Sequence, residues 1–345
     1  MRRRLLIVGN PDPVHIGKHF LDAAEALAIE TTLVDTRKSA STSRLLNRLF
    51  WHLLDHRPSR QIQFNRQVLA TARDFHPSHV LTTGLTPLTA GTVRCLVSAG
   101  IQCYNYSTDD PWNPVHRCAW HQRALPFFSA VFTPRTANRP DFLRLGCKRV
   151  EVLPFGYSPS SHFITNQAPA EAAESVGDGE VLFAGGADTD RLEYVRALIG
   201  AGIRPVLYGN SWQRYGWAKP FHRGFLSLEQ QRYLISRVPL CLVLVRRANR
   251  DGHSMRTFEI PAMGGCLVTE RTNEHQSLFG RDGASTRYFG SPSELVAVCR
   301  DLIAAPDQRV QMAKDSHGLV IRGNNSYHNR LSAMLSDRSE DRRLD

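Results

Sequence analysis

The sequence predicts an α/β protein made of two doubly wound, parallel-sheet (Rossmann-like) domains, and three observations predict it. Short apolar runs alternate with helix-periodic stretches through the first half, a polar stretch without apolar period interrupts them from Ser158 to Gly179, and the alternation restarts at Val181. A chain of 345 residues, 42% of them hydrophobic, is long enough for two cores of ordinary size.

In the first half the apolar run Leu5 to Val8 is the first strand, and Ile16 to Ala28 repeats with helical period. Thr31 to Val34 is rich in β-formers and basic helices follow it. Next come a strand at His79 to Thr82, a helix at Thr89 to Ser98 and a strand at Gln102 to Tyr106. Ala130 to Thr133 and Val150 to Leu153 add two short strands around a helical Arg139 to Leu145. The second half opens with VLFAGG at Val181, continues with a helix Arg191 to Ile199 and a strand Pro205 to Tyr208, then a helix Leu228 to Ser236 and a strand Leu240 to Val245. A short helix Phe258 to Met263 ends at Gly264 and Gly265, a buried strand runs Cys266 to Val268, and Ser293 to Ala304 is helical. The expected boundaries are thus a first domain over 1–157, a linker over 158–179, a second domain over 180–335 and a polar, frayed tail over 336–345. Ligands of such folds bind at the carboxyl ends of the strands, so a central cleft faced by both domains is expected.

Composition narrows the function classes. The seven cysteines are scattered, mostly in apolar surroundings, and none has C-x-x-C spacing, which favours reduced thiols in a cytoplasmic protein and no zinc site. The apolar run in the opening MRRRLLIVGNPDP is too short for a signal peptide, and no stretch approaches the roughly 18 apolar residues of a membrane span. The net charge of +11 is concentrated: Arg37 to Arg73 holds eight Arg or Lys against one acid, Asp55. Within it Leu45, Leu46, Leu49, Phe50, Leu53 and Leu54 recur at helical spacing, with Arg44, Arg48 and His52 on another face. The plainer expectation is a packed helix with a solvated basic face. The other is a peripheral contact with an anionic membrane, at its inner face, or with an acidic acceptor.

The loops that follow strands in the second half carry a particular set of groups: Gly185 and Gly186, then Gly209 and Asn210, then Arg246 and Arg247, with His253, Arg256 and Glu259 just beyond. Glycines let backbone N–H groups approach an anion, arginines bind phosphate in a bidentate way, and helix starts offer unpaired donors. Together these are the parts of a nucleoside-diphosphate site. Glu259 stands alone as a charge in the apolar run MRTFEIPAMGGCLVTE. It complements the helix dipole on the plain reading and receives a ribose diol on the sharper one. By contrast VGNPDPVHIGKHF, with Gly9, Gly17 and Lys18, lacks both G-x-G-x-x-G and the P-loop pattern, and the fourteen histidines show no metal-ligand spacing. Trp112, Trp120, Trp212 and Trp217 suit either stacking on a sugar or base, or packing.

RTFEIPAMGGCLVTE, together with VLFAGG, VLYGNSW, HRGFLSLEQQRYLISRVPLCLVL and the EHQSLF segment, resembles the C-terminal half of CgeB-like glycosyltransferases. The likeness covers about Val181 to Leu335 and extends more loosely to NYSTDDPWN and VEVLPFGYSP in the first half. It implies a GT-B-like fold and transfer of a sugar from a nucleotide-diphosphate sugar, bound by the second domain, to an acceptor (a glycan, a lipid-linked group or a protein) on the first. It also implies metal independence, no cofactor beyond the donor, and Glu259 on the donor ribose, with Gly224 and Phe225 near the base. Related retaining enzymes carry a glutamate eight positions earlier, where this chain has the shorter Asp251. The donor set is then Gly185, Gly186, Gly209, Arg246, Asp251, His253, Arg256 and Glu259. For an inverting course Asp109 and Asp110 are the catalytic candidates, as general bases after the strand Gln102 to Tyr106, Asp110 also suiting an N-cap before Pro111.

Two other classes stay open at this level. One is a basic nucleic-acid-binding protein, against which the charge sits on one amphipathic segment without an aromatic platform. The other is a protein on the same scaffold that binds or epimerises a nucleotide sugar.

Overall fold

A computed structural model describes residues 3–169 and 180–336, so the linker expectation for 170–179 and the tail expectation beyond 336 lie outside the described residues. The chain forms two compact units. One takes in the chain up to Pro154, the segment Ala248–Arg250 and the final helix Tyr327–Leu335; the other takes in Phe155–Arg247 and Asp251–Ser326.

The first unit carries a six-stranded parallel sheet: β1 (Arg4–Gly9), β2 (Glu30–Asp35), β3 (His79–Thr83), β4 (Gln102–Tyr106), β5 (Ala130–Thr133) and β6 (Val150–Val152), in the order β2-β1-β3-β4-β5-β6. Leu5, Leu6, Ile7 and Val8 are all buried, as a central strand covered by helices on both faces requires. The second unit carries five parallel strands, β7 (Glu180–Ala184), β8 (Arg204–Tyr208), β9 (Leu240–Val243), β10 (Leu267–Glu270) and β11 (Arg287–Phe289), in the order β11-β10-β9-β7-β8. In each sheet the chain starts in the middle, steps to one side and then crosses back. The strand order therefore reverses between β1 and β3 in one sheet and between β7 and β9 in the other. At such a reversal the loops leave in opposite directions and open a crevice.

Two boundaries differ from the sequence expectation. The helix Tyr327–Leu335 packs on the helix Ile16–Ala26 of the first unit, where Tyr327 stacks on His19 at 5.2 Å between ring centroids and meets Phe20 edge-on at 5.2 Å. Its apolar face is completed by a partner more than 300 positions away in sequence, which local pattern does not reveal. The stretch from Ser158 to Asn166 is also no free linker, because Ser158, Ser161 and His162 are buried. Carbonyls of Ser161, Thr165 and Asn166 accept from Arg232, Ser236 and Arg237 on and after the helix Leu228–Ile235. A polar segment without period is held by side chains of another element.

All seven cysteines are free thiols and six are buried. No helix among the described residues is long and apolar enough to cross a membrane. The basic helix Arg44–Leu53 departs from the packed arrangement expected of it: none of its residues is buried, and Leu45 is 81% exposed.

Buried histidines give the second unit a pH dependence, and His275 is one of them. His275 accepts from the Thr257 hydroxyl at Nε2 (3.0 Å) and donates from Nδ1 to the Glu270 carbonyl (2.8 Å), and burial pushes its pKa down to about 4. The unfolded chain, with an ordinary histidine near 6.5, takes up the proton first as pH falls. The stabilisation is complete above about pH 6.5 and is lost on acidification toward 4, about 1 kcal/mol of it by pH 5.5. Thermal unfolding between about pH 7 and 5.5 is expected to show this slope, and His275→Gln is expected to reduce it, the buried His121 and His162 keeping their share.

Candidate functional site

The loops at the β7/β9 reversal of the second unit are built around glycine. Gly209 follows β8 with φ +123°, and a Cβ there would lie 2.7 Å from both the carbonyl carbon and oxygen of Gly185. Only glycine lets the β7 and β8 loops touch backbone to backbone. Gly185 is fixed by its neighbours: a Cβ would meet the Phe183 ring at 2.8 Å, and the buried Trp212 donates from Nε1 to its carbonyl at 2.8 Å. Gly186 is different. An added Cβ would find only ordinary contacts with Asn210, at 3.5 Å or beyond, and its N–H has no hydrogen-bond acceptor among the described residues. Of the three predicted glycines, packing explains two and leaves Gly186 as the one whose backbone is open to a ligand.

Arg191, which sequence reasoning placed only as a helix start, holds the two sides of the reversal together. Its guanidinium donates to the Gly186 carbonyl (3.0 Å) and to the Leu244 carbonyl beyond β9 (3.2 Å), with Asp188 at 3.2 Å. Burial lowers its pKa from the usual arginine value, opposed chiefly by Asp188. The available signal was Asp188 three positions before it, an N-cap whose carboxylate accepts from the Arg191 N–H. Both members of the predicted arginine pair are exposed, and Arg247 is engaged with the Tyr194 hydroxyl (3.1 Å) and Glu270 (3.6 Å). Glu270, also missed, accepts from the Val245 N–H at 2.6 Å, and burial raises its carboxyl above the usual range. Asp251, half-buried, closes this loop by donating its N–H to the Arg246 carbonyl.

The helix Arg256–Ala262 sets Arg256 and Glu259 one turn apart, and Gly264 at φ +79° follows its end as the sequence predicted. Glu259 is 1% exposed and ion-paired with Arg256, whose Nε also donates to the Ala184 carbonyl at the end of β7 (3.4 Å). On its other side His162 Nε2 stands 3.7 Å from Glu259 Oε1. His162 Nδ1 accepts from the Ser158 N–H at 2.9 Å, so the ring proton sits on Nε2, toward the carboxylate. Burial lowers the His162 pKa, which keeps the ring neutral, so between these two neighbours it is Arg256 that brings a full positive charge to Glu259. A buried carboxylate held from two sides at a strand end is more than a dipole partner, because dipole complementation needs no burial.

His253 does not fit the donor contact expected of it. Its Nδ1 is 2.8 Å from Glu274 and its Nε2 accepts from the Phe155 N–H at 3.2 Å, so both ring nitrogens are committed to the fold. Gly252 beside it makes room, since a Cβ there would overlap the Glu274 carboxylate at 1.9 Å. Gly224 donates no side chain but its carbonyl accepts from the Gly209 N–H (2.8 Å), and Phe225 next to it is 70% exposed.

In the first unit the two acids after β4 take different roles. Asp110 is buried, and its carboxylate receives the Arg250 guanidinium as a fork (2.6 and 3.1 Å) and the Trp112 N–H (2.9 Å). Arg250 also pairs with Asp141 at 2.7 Å, and the hydrogen bond to Asp110 raises its pKa further above the arginine range. Asp110 is thereby corrected from candidate base to the acid of a structural ion pair. Asp109 is half-exposed, with the Thr108 hydroxyl at 3.4 Å. Lys18 is paired with Asp22 in its own helix, and Gly17 is needed where a Cβ would lie 2.6 Å from the Asn10 carbonyl. Of the tryptophans, Trp112 meets Phe142 edge-on at 5.0 Å and Trp212 is fully buried, while Trp120 and Trp217 are half-buried and Trp120 donates from Nε1 to the Asp55 carbonyl.

Residues 191–336 match the family model described as "Glycosyl transferase-like". By sequence the chain matches no curated protein. Among solved structures it is similar to a sucrose-phosphate synthase from Thermosynechococcus elongatus (TM-score 0.68, 12% identity), over 96% of this chain and 98% of that one. It is also similar to HepE from Anabaena, solved with UDP-glucose (TM-score 0.63, 13% identity, 96% and 98% covered). A UDP-GlcNAc 2-epimerase from Neisseria meningitidis, bound to UDP-GlcNAc, is similar at TM-score 0.54 and 12% identity, with 96% and 98% covered. Both parallel sheets of the chain are thus those of a GT-B-type α/β fold.

Proposed function

We propose, from a second unit matched by a glycosyl transferase-like family, that this protein is a glycosyltransferase using a nucleotide-diphosphate sugar. The observation that carries the reading is the pairing of buried Glu259 with Arg256 at the carboxyl end of β7, where the strand order reverses. Glu259 accepts the paired hydrogen bonds of the donor ribose diol. Arg256 and the open Gly186 N–H receive the diphosphate, and exposed Arg246 adds positive charge nearby. As the sugar leaves, negative charge grows on the diphosphate, and a fixed guanidinium stabilises it without a metal.

Asp251 takes the position that contacts the donor sugar in related retaining enzymes, one methylene shorter than glutamate. On the first unit Asp109 is our candidate for the base that acts on an acceptor hydroxyl, if the course inverts. The likeness to an epimerase supports a second reading, in which the nucleotide sugar is converted with no acceptor. Release of free nucleoside diphosphate only when an acceptor is supplied separates transfer from epimerisation.

The test is a thermal-shift panel of UDP, GDP, ADP, CDP and dTDP on wild type and Gly186→Ala. A nucleotide at about 100 times its dissociation constant is expected to stabilise the protein by about 2.7 kcal/mol, a rise of several degrees. Gly186→Ala is expected to melt with the wild type when unliganded, within about 0.5 kcal/mol, and to lose most of the nucleotide shift. If no nucleotide moves the wild type at millimolar concentration, the donor-site reading fails.

A further inference from the structure

The helix Arg44–Leu53 is tied down on one side and bare on the other. Asn47 donates from Nδ2 to the Ser41 carbonyl (2.7 Å) and accepts from the Ser59 hydroxyl (2.7 Å), so its side of the helix faces the protein. At 100° per residue the opposite side falls between Leu45 and Leu49, with Leu53 one turn further on. These three are 81%, 52% and 70% exposed. Arg44, Arg48 and His52, all exposed, form the adjoining stripe. Beside the segment that leads into the helix lies an open pocket of about 470 Å³ whose lining includes Ala40, Thr42 and Phe64 and, as phosphate-binding groups, the cations Arg37, Lys38 and Arg60. Arg37 is anchored there by Asp35, with Nη2 to Oδ2 at 2.8 Å.

We propose that this helix docks the protein on an anionic phospholipid bilayer, the leucine row entering the interface and the pocket taking a lipid phosphate. An exposed apolar row alone would suit many partners; charge decides among them. The eight basic residues against one acid in Arg37 to Arg73 would repel a second copy of the same face. They attract a surface of anionic headgroups, and a straight row of leucines on successive turns matches a flat interface. A nucleic acid would use the charge but would leave the leucines in water. The inference stands on the first unit alone and does not depend on the proposed transferase activity.

The experiment is flotation of the full chain with vesicles of phosphatidylcholine, with and without phosphatidylglycerol. Wild type is expected to float with the anionic vesicles and not the neutral ones, at least about tenfold more weakly when salt is raised from about 0.05 to 0.5 M. The double variant Leu45→Glu, Leu49→Glu is expected to stay at the bottom while keeping the wild-type melting temperature. Leu53→Ser is the milder variant if the double one fails to fold, and Arg44→Gln with Arg48→Gln is expected to weaken flotation alone. Equal binding to neutral vesicles, no flotation at low salt, or flotation of a folded leucine variant would overturn the proposal. So would light scattering that reveals a wild-type dimer dissolved by the same leucine substitutions.

Discussion

Arg256→Ala is expected to slow sugar transfer by about 10²- to 10³-fold, with most of the loss in kcat, because a preorganised donor to a developing anion acts in the transition state. The same change removes the full positive charge that contacts Glu259, leaving a 1%-exposed carboxylate beside a neutral His162. Stability therefore falls too, by about 1–3 kcal/mol, the usual cost of removing a charged partner from a buried polar group. Arg256→Lys separates the two effects. Lysine keeps the charge near Glu259 but loses the fork that also reaches the Ala184 carbonyl, so it is expected to recover stability more fully than rate. Steady-state kinetics with a melting curve for each variant provide the check. A variant that raises KM and leaves kcat intact would show that Arg256 binds ground state and transition state equally.

Much of this candidate site was legible in the sequence because its parts sit at strand ends, and buried parallel strands announce themselves as apolar runs. Gly185, Gly186, Gly209 and Arg246 follow β7, β8 and β9 within a few residues, and Glu259 is conspicuous as the lone charge in its run. What was not legible depends on partners far along the chain. His162 lies in a polar stretch with no period, and only folding sets it 3.7 Å from Glu259, 97 positions later. Arg191 looks like any first-turn residue until its carbonyl partners at 186 and 244 are known. The amphipathic pattern of Arg44–Leu53 was plain, yet pattern cannot say which face turns inward; Asn47 and its hydrogen bonds to residues 41 and 59 decide that.

The acids after β4 show how a structure divides what a sequence offers as equals. Asp110→Asn is expected to destabilise the protein by about 2–3 kcal/mol, toward the low end for a broken buried pair because the Arg250 side chain is 40% exposed. The amide still accepts the Trp112 N–H, so the turn survives, but the charge opposite the Arg250 fork is gone and Asp141 alone remains to it. The rate of the folded fraction is expected to stay within a few-fold of wild type. Asp109→Asn is expected to do the reverse, leaving the melting point in place and lowering the rate by about 10²–10⁴ if the acceptor hydroxyl loses its base. A retaining course would remove that second effect without touching the first, since the Arg250 fork is independent of the stereochemistry. Measured together, melting point and rate in these two variants therefore assign the role of each acid. If Asp110→Asn loses its rate at an unchanged melting point, the ion pair is not what that carboxylate is for.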